Sequence, residues 1–200
     1  MAKKFRISDN LKPYPSLALG CVEATLLESV GAFNVFANNG TYIEPHFLRW
    51  IKDEWGTKIW KFEAQKENVI SYAVCSQVTR VLSIGVKRYF ERLENKDLMC
   101  QAIGKTGTTN QSRTGWFCGA TPTLTTAIYA GSDDNKSMGN NIYPVRTVFP
   151  IWFAMYQNIE SDKKSFNFDS NLREIKINWH TGDLLDFNDN TPGSVSLLVT

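Results

Sequence analysis

Six consecutive residues carry the strongest chemical signal in the chain: Gly104-Lys105-Thr106-Gly107-Thr108-Thr109. An ammonium group, several hydroxyls and a glycine on one extended stretch suit recognition of an anionic group. Lys105 supplies a point charge and the threonines supply short donors, while Gly107 lets a ligand approach the backbone closely. A solvated strand end has the same composition, so the hexapeptide alone does not decide. Gly-Lys-Thr also closes nucleotide-binding loops of the pattern Gly-x-x-x-x-Gly-Lys-Thr. The first glycine of that pattern falls on Met99, and Gly107 directly after the threonine weakens the helix that such a loop opens. The phosphate-loop reading is set aside on both counts.

The elements that must position this stretch follow from hydrophobic periodicity. Strand-like runs are predicted over 103–109, 115–120 and 124–131, the last two joined by a tight turn at Thr121-Pro122-Thr123. Upstream, Leu26, Val30, Phe33 and Ala37 recur at helical spacing within 23–38, and Asn38-Asn39-Gly40 supplies a left-handed stop. Residues 47–51 and 58–62 flank Asp53-Glu54-Trp55-Gly56 as a hairpin. A second helix is predicted over 69–93, with a break or bend near Gly85. Residues 133–141 read as a loop, 149–157 as a short apolar helix with Pro150 near its first turn, and 160–171 as polar surface. The alternation Ile175, Ile177, Trp179 predicts a strand over 172–179, ending in a turn at His180-Thr181-Gly182-Asp183. Neither a repeat nor a linker divides the chain, which reads as one α+β unit of antiparallel strands with packed helices.

Composition narrows the partners. A 200-residue chain that is 42% hydrophobic and 21% charged has material for a real core. Its formal charge of +2 gives no electrostatic case for nucleic acid or an acidic membrane surface. No apolar run approaches the eighteen or so residues of a membrane span; the longest, 148–156, reads as a buried helix. Met1-Ala2-Lys3-Lys4 is basic, but Ser8-Asp9-Asn10 stands where a secretory signal has its apolar core. On those residues alone the chain reads as cytoplasmic and without membrane contact. Cys21, Cys75, Cys100 and Cys118 are widely spaced, and His46 and His180 stand apart from them. No metal site is expected, and the cysteines read as small buried thiols.

Several further segments, taken in order, resemble the transpeptidase domain of class A (bifunctional) penicillin-binding proteins. Pro15-Ser16-Leu17-Ala18-Leu19-Gly20, followed by Glu23, Thr25 and Glu28, is similar to one family segment. Phe36-Ala37-Asn38-Asn39-Gly40-Thr41-Tyr42-Ile43-Glu44-Pro45-His46 is similar to the next. Ile103 to Asn110 resembles the Lys-Thr-Gly motif with its surroundings, and Trp116-Phe117-Cys118-Gly119-Ala120-Thr121-Pro122 the segment after it. Ala130-Gly131-Ser132-Asp133-Asp134-Asn135 and Pro150-Ile151-Trp152 continue the likeness, which is good over about residues 5–160 and weaker over 161–200. Departures from the family pattern are Thr114-Gly115 before Trp116, and Gly139-Asn140-Asn141 with Thr147-Val148-Phe149 ahead of the last helix.

The resemblance implies a partial penicillin-binding transpeptidase fold, similar to serine β-lactamases, with residues 1–200 as the C-terminal portion of that domain. It implies a serine acyltransferase that attacks a D-alanyl-D-alanine bond of peptidoglycan stem peptides, with β-lactams as further ligands and no cofactor. Lys105 would border the cleft and Thr108 would supply one oxyanion-hole N–H, a donor whose loss costs about 3 kcal/mol of barrier. Thr106, Gly107, Thr108 and Thr109 would line the substrate.

The family's Ser-x-x-Lys nucleophile is expected well over a hundred residues before Lys-Thr-Gly. The chain's Ser161-Asp162-Lys163-Lys164 comes after it, in a polar stretch, and reads as surface. Ser8-Asp9-Asn10 spells the second motif but lies too close to Pro15; it reads as the polar exit of a helix ending at Lys4-Phe5-Arg6-Ile7. The expectation is a chain that carries the Lys-Thr-Gly wall without the nucleophile. It would be inactive alone, would partner the N-terminal part of a parent protein, and would work at the outer face of the bacterial cytoplasmic membrane. A non-catalytic descendant that binds stem peptides or partner proteins is the alternative.

Overall fold

The computed structural model describes residues 1–8, 11–91, 101–108, 112–139, 142–159 and 163–200. After hydrogen-bonded turns over residues 1–7 and a 3-10 turn at Pro15–Leu19 come α1 (Leu26–Ala37), β1 (Thr41–Ile43), β2 (Trp50–Lys52), β3 (Lys58–Lys61), β4 (Lys66–Asn68) and α2 (Tyr72–Phe90). The second half holds β5 (Ile103–Thr108), β6 (Thr114–Ala120), β7 (Thr125–Gly131), α3 (Val148–Ile159), β8 (Arg173–Asn178), β9 (Leu184–Leu185) and β10 (Ser194–Val199).

Helix α1 starts where the Thr25 side chain accepts the Glu28 N–H while the Glu28 carboxylate accepts the Thr25 N–H, a reciprocal cap. Ser71 caps α2 in the simpler way, through Val74 N–H. The break expected near Gly85 does not occur: α2 runs unbroken for 19 residues. Neighbouring turns carry the helix through Gly85, whose propensity cost is only about 1 kcal/mol relative to alanine. Residues 4–7, expected to end a helix, instead lie in the opening turns, with Arg6 at φ +53°.

The central layer is the antiparallel sheet β5-β6-β7, in register from Ile103↔Ala120 and from Ala120↔Thr125. Strand alternation sorts its side chains onto two faces. One face meets α3 in an aromatic core of Phe117, Phe149, Trp152, Phe153 and Tyr156, closed from the side by Val86 of α2. Phe117 sits 5.1 Å, centroid to centroid, from both Phe149 and Trp152, mostly edge-on, the arrangement aromatic quadrupoles favour. Tyr156 spends its hydroxyl on the Leu124 carbonyl at 2.9 Å. The opposite face meets α1, with Phe33, Ile103, Ala120 and Phe166 buried between them.

Three further sheets complete the fold among the described residues, one of them the antiparallel pair β1-β4. β10, β8 and β9 form a three-stranded antiparallel sheet that packs on α2. Arg80 fixes that contact by donating from Nε to Ser196 O at 3.1 Å and pairing with Glu174, while Gln77 donates to Leu198 O. The hairpin β2-β3 is capped by Asp53, which accepts the Trp55 and Thr57 N–H groups, and it leaves Phe47, Leu48, Trp55 and Ile59 exposed. No helix among the described residues is long and apolar enough to cross a membrane.

Candidate active site

The Lys-Thr-Gly residues lie on β5, an edge strand whose only strand partner among the described residues is β6. In an antiparallel pair, alternate residues turn their N–H and C=O groups away from the partner, so one row of β5 backbone groups points outward. Register pairs Lys105 with Cys118, Thr106 with Phe117, Gly107 with Trp116 and Thr108 with Gly115. The strand begins in the core at Ile103 and Gly104 and emerges at Lys105.

The pleat divides the expected site residues. Lys105 and Gly107 fall on the α1 face, with Trp116, Cys118 and Tyr129; Thr106 and Thr108 fall on the α3 face. The Lys105 ammonium is exposed and donates to the Thr106 carbonyl at 2.8 Å. The Thr106 hydroxyl lies 3.2 Å from the Tyr89 hydroxyl of α2, a bond that clamps the strand to the helix. Thr108 is exposed at the last described position of β5, and Thr109 lies outside the described residues.

Gly107 faces Trp116 closely: a methyl group added there would sit 3.1 Å from the Trp116 Cβ. Trp116 stands edge-on to Tyr129, centroids 5.0 Å apart, and Tyr129 is exposed. An ammonium group, a side-chain-free backbone and an aromatic pair therefore share one face of the sheet. Beside Lys105, burial pushes the Cys118 thiol up to about 11, so it is no nucleophile near neutral pH. Tyr89, Trp116 and Tyr129 were not named from sequence as site residues. The signal that could have found two of them is strand alternation: once β5, β6 and β7 are paired, Trp116 and Tyr129 must share a side with Lys105.

Of the two look-alike motifs, Ser8 donates its backbone N–H to Glu28 at 3.2 Å, while Asp9 and Asn10 lie outside the described residues. Ser161 and Asp162 of the other also lie outside them. Among the described residues, no three His, Cys, Asp or Glu side chains gather as a metal site would require.

Against known families, residues 7–143 match the penicillin-binding protein transpeptidase domain. The chain belongs to that family. The transpeptidase match encloses the whole β5–β7 sheet and ends before residue 161, which leaves Ser161-Asp162-Lys163-Lys164 outside it. The chain is 33% identical over 181 residues to penicillin-binding protein 1A of Aquifex aeolicus, covering 88% of this chain and 24% of that protein. It is 29% identical over 216 residues to penicillin-binding protein 1A of Rickettsia conorii, covering 96% and 26%. It thus spans about a quarter of the length of these relatives.

Among solved structures it superimposes on penicillin-binding protein 1A of Haemophilus influenzae with a TM-score of 0.79 at 22% identity. That match covers 98% of this chain and 35% of the other. The PonA1 protein of Mycobacterium tuberculosis in complex with penicillin V gives 0.69 at 21% identity, covering 84% and 50%. The fold is accordingly a partial penicillin-binding transpeptidase fold, with helices packed on antiparallel sheets, as the sequence predicted.

Proposed function

We propose that this chain supplies the substrate-binding wall of a peptidoglycan D,D-transpeptidase, working through an acyl-serine intermediate whose serine lies outside these 200 residues. The observation that carries the reading is Lys105-Thr106-Gly107-Thr108 on an exposed edge strand inside a transpeptidase-family match. Lys105 raises the positive potential where the stem-peptide carboxylate and the attacking serine meet. The outward row of β5 backbone groups pairs with the extended peptide, and the Thr108 N–H is one of two oxyanion donors. Gly107 keeps the strand bare under the substrate, Thr108 and Thr109 bring hydroxyls to its far end, and Thr106 holds the strand to Tyr89 while bordering the peptide. β-Lactams occupy the same groove. The partner that completes the site is the N-terminal part of the parent protein, at the outer face of the cytoplasmic membrane, and residues 1–200 act as one C-terminal portion of that domain.

The test is labelling with a fluorescent penicillin. The 200-residue chain is expected to stay unlabelled. A parent-length protein labels stoichiometrically, and its Lys105→Gln variant labels about 100-fold more slowly, the size of effect that loss of one transition-state contact produces. Stoichiometric labelling of the short chain would place a nucleophile within it and overturn the assignment. A parent-length protein that never labels but still binds stem peptide would instead support a non-catalytic binding role.

A further inference from the structure

Helix α2, the C-terminal sheet and Gln101-Ala102 just ahead of β5 line an open groove of about 970 Å³. That is at the upper end of the range for small-molecule sites. Arg80, Ser83, Ile84, Lys87 and Arg88 form one stripe of α2 that faces it, and β8 with the turn after it adds Lys176, Trp179 and His180. Among the described residues, four cations (Arg80, Lys87, Arg88 and Lys176) therefore line the groove with one carboxylate, Glu91.

The cations are not equivalent. Arg80 is committed to Ser196 O and Glu174, and Lys176 Nζ donates to Phe187 O and Asn190 Oδ1, each at 3.1 Å. Lys87 and Arg88 have no carboxylate within ion-pairing distance among the described residues. Arg88 is nonetheless held in place, its guanidinium carbon 3.7 Å from the centre of the Trp179 ring. Stacking occupies the flat face of a guanidinium and leaves its in-plane N–H fork open to an anion. Trp179 is itself seated: its backbone N–H donates to Gly193 O at 3.0 Å, and its ring lies 4.5 Å from that of His180. Gly193 permits this seat. It has φ +91°, and a methyl group there would fall 2.8 Å from His180 Cδ2 and 3.1 Å from Trp179 Cδ1. Only glycine takes that backbone conformation without cost.

We infer that this groove binds a small phosphorylated ligand, with the Arg88 fork and the Lys87 ammonium on the phosphate. Arginine presents paired donors matched to phosphate oxygens and lysine adds a point charge. The groove exceeds the volume of a lone phosphate, which fits a phosphate or diphosphate ester. The site is separate from Lys105 and does not depend on the transpeptidase reading.

Pyrophosphate is the probe, titrated calorimetrically into the full chain at low salt. Saturable one-to-one binding is expected, weakening at least tenfold in K87Q/R88Q and unchanged in Lys105→Gln. Should the double variant lose its folded circular dichroism, Lys87→Gln alone, at an exposed position, is expected to weaken binding severalfold. No saturable binding, equal binding by the variants, or loss in Lys105→Gln would each overturn the inference. Citrate binding more tightly than pyrophosphate would overturn the phosphate assignment.

Discussion

Strand β5 turns Lys105 and Thr106 to opposite sides of its sheet, and the two side chains are held in different ways. Lys105 reaches along the exposed surface to the Thr106 carbonyl, whereas the Thr106 hydroxyl is tied to Tyr89. Removing that tie with Tyr89→Phe is expected to lower stability by about 1 kcal/mol in chemical denaturation, the net value of a neutral hydrogen bond. The cysteines give a second residue-scale test. Cys21 is exposed and is expected to react with a thiol reagent at pH 8 within minutes; buried Cys75 and half-buried Cys118 are expected to react only on unfolding. Burial raises both of these thiols above their ordinary range, Cys118 to about 11. A thiol whose pKa is higher folded than unfolded favours the fold fully below its unfolded value near 9, and that contribution is lost as pH rises toward 11. The thermal midpoint should therefore fall between pH 9 and 11, and fall less in Cys118→Ala.

At the scale of elements, α1, the hairpin, α3 and the three central strands were legible because each repeats a local signal. The expected 103–109, 115–120 and 124–131 correspond to 103–108, 114–120 and 125–131 among the described residues, with Thr109 outside them, since alternation and the Thr121-Pro122-Thr123 turn are local features. β1, β4 and β10 were not legible. β1 and β4 are short and exist only because Thr41↔Asn68 and its neighbours pair across the whole β2-β3 hairpin; β10 has mixed polarity and is ordered by β8. Of the site, the Lys-Thr-Gly stretch and its extended conformation were readable. The split of Lys105 from Thr106 follows from strand alternation alone, whereas the Tyr89 clamp needed α2 to be placed against β5. Thr25→Ala removes one half of the α1 cap and should cost about 1 kcal/mol, measured as a shift in the denaturation midpoint. Phe117→Ala, at a fully buried position packed on α3, should cost about 3–5 kcal/mol by the same measurement.

For the molecule as a whole, the central sheet counts three strands among the described residues. Among the described residues β7 pairs only with β6, so it offers a free outer edge, the geometry that templates further strand pairing. The hairpin adds exposed Phe47, Trp55 and Ile59. Concentration-dependent self-association of the 200-residue chain is expected in light scattering coupled to size exclusion. A monodisperse, sharply melting monomer would count against its being part of a larger domain.

Helix α2 is gripped from two directions, by β5 through Val86 and Tyr89 and by the C-terminal sheet through Gln77 and Arg80. It behaves as a strut whose outer brace is the run from β8 to β10. A protease that nicks the chain ahead of β8 would unload that brace, and the slack would be felt at Lys105 although no atom of the Lys-Thr-Gly stretch had been cut.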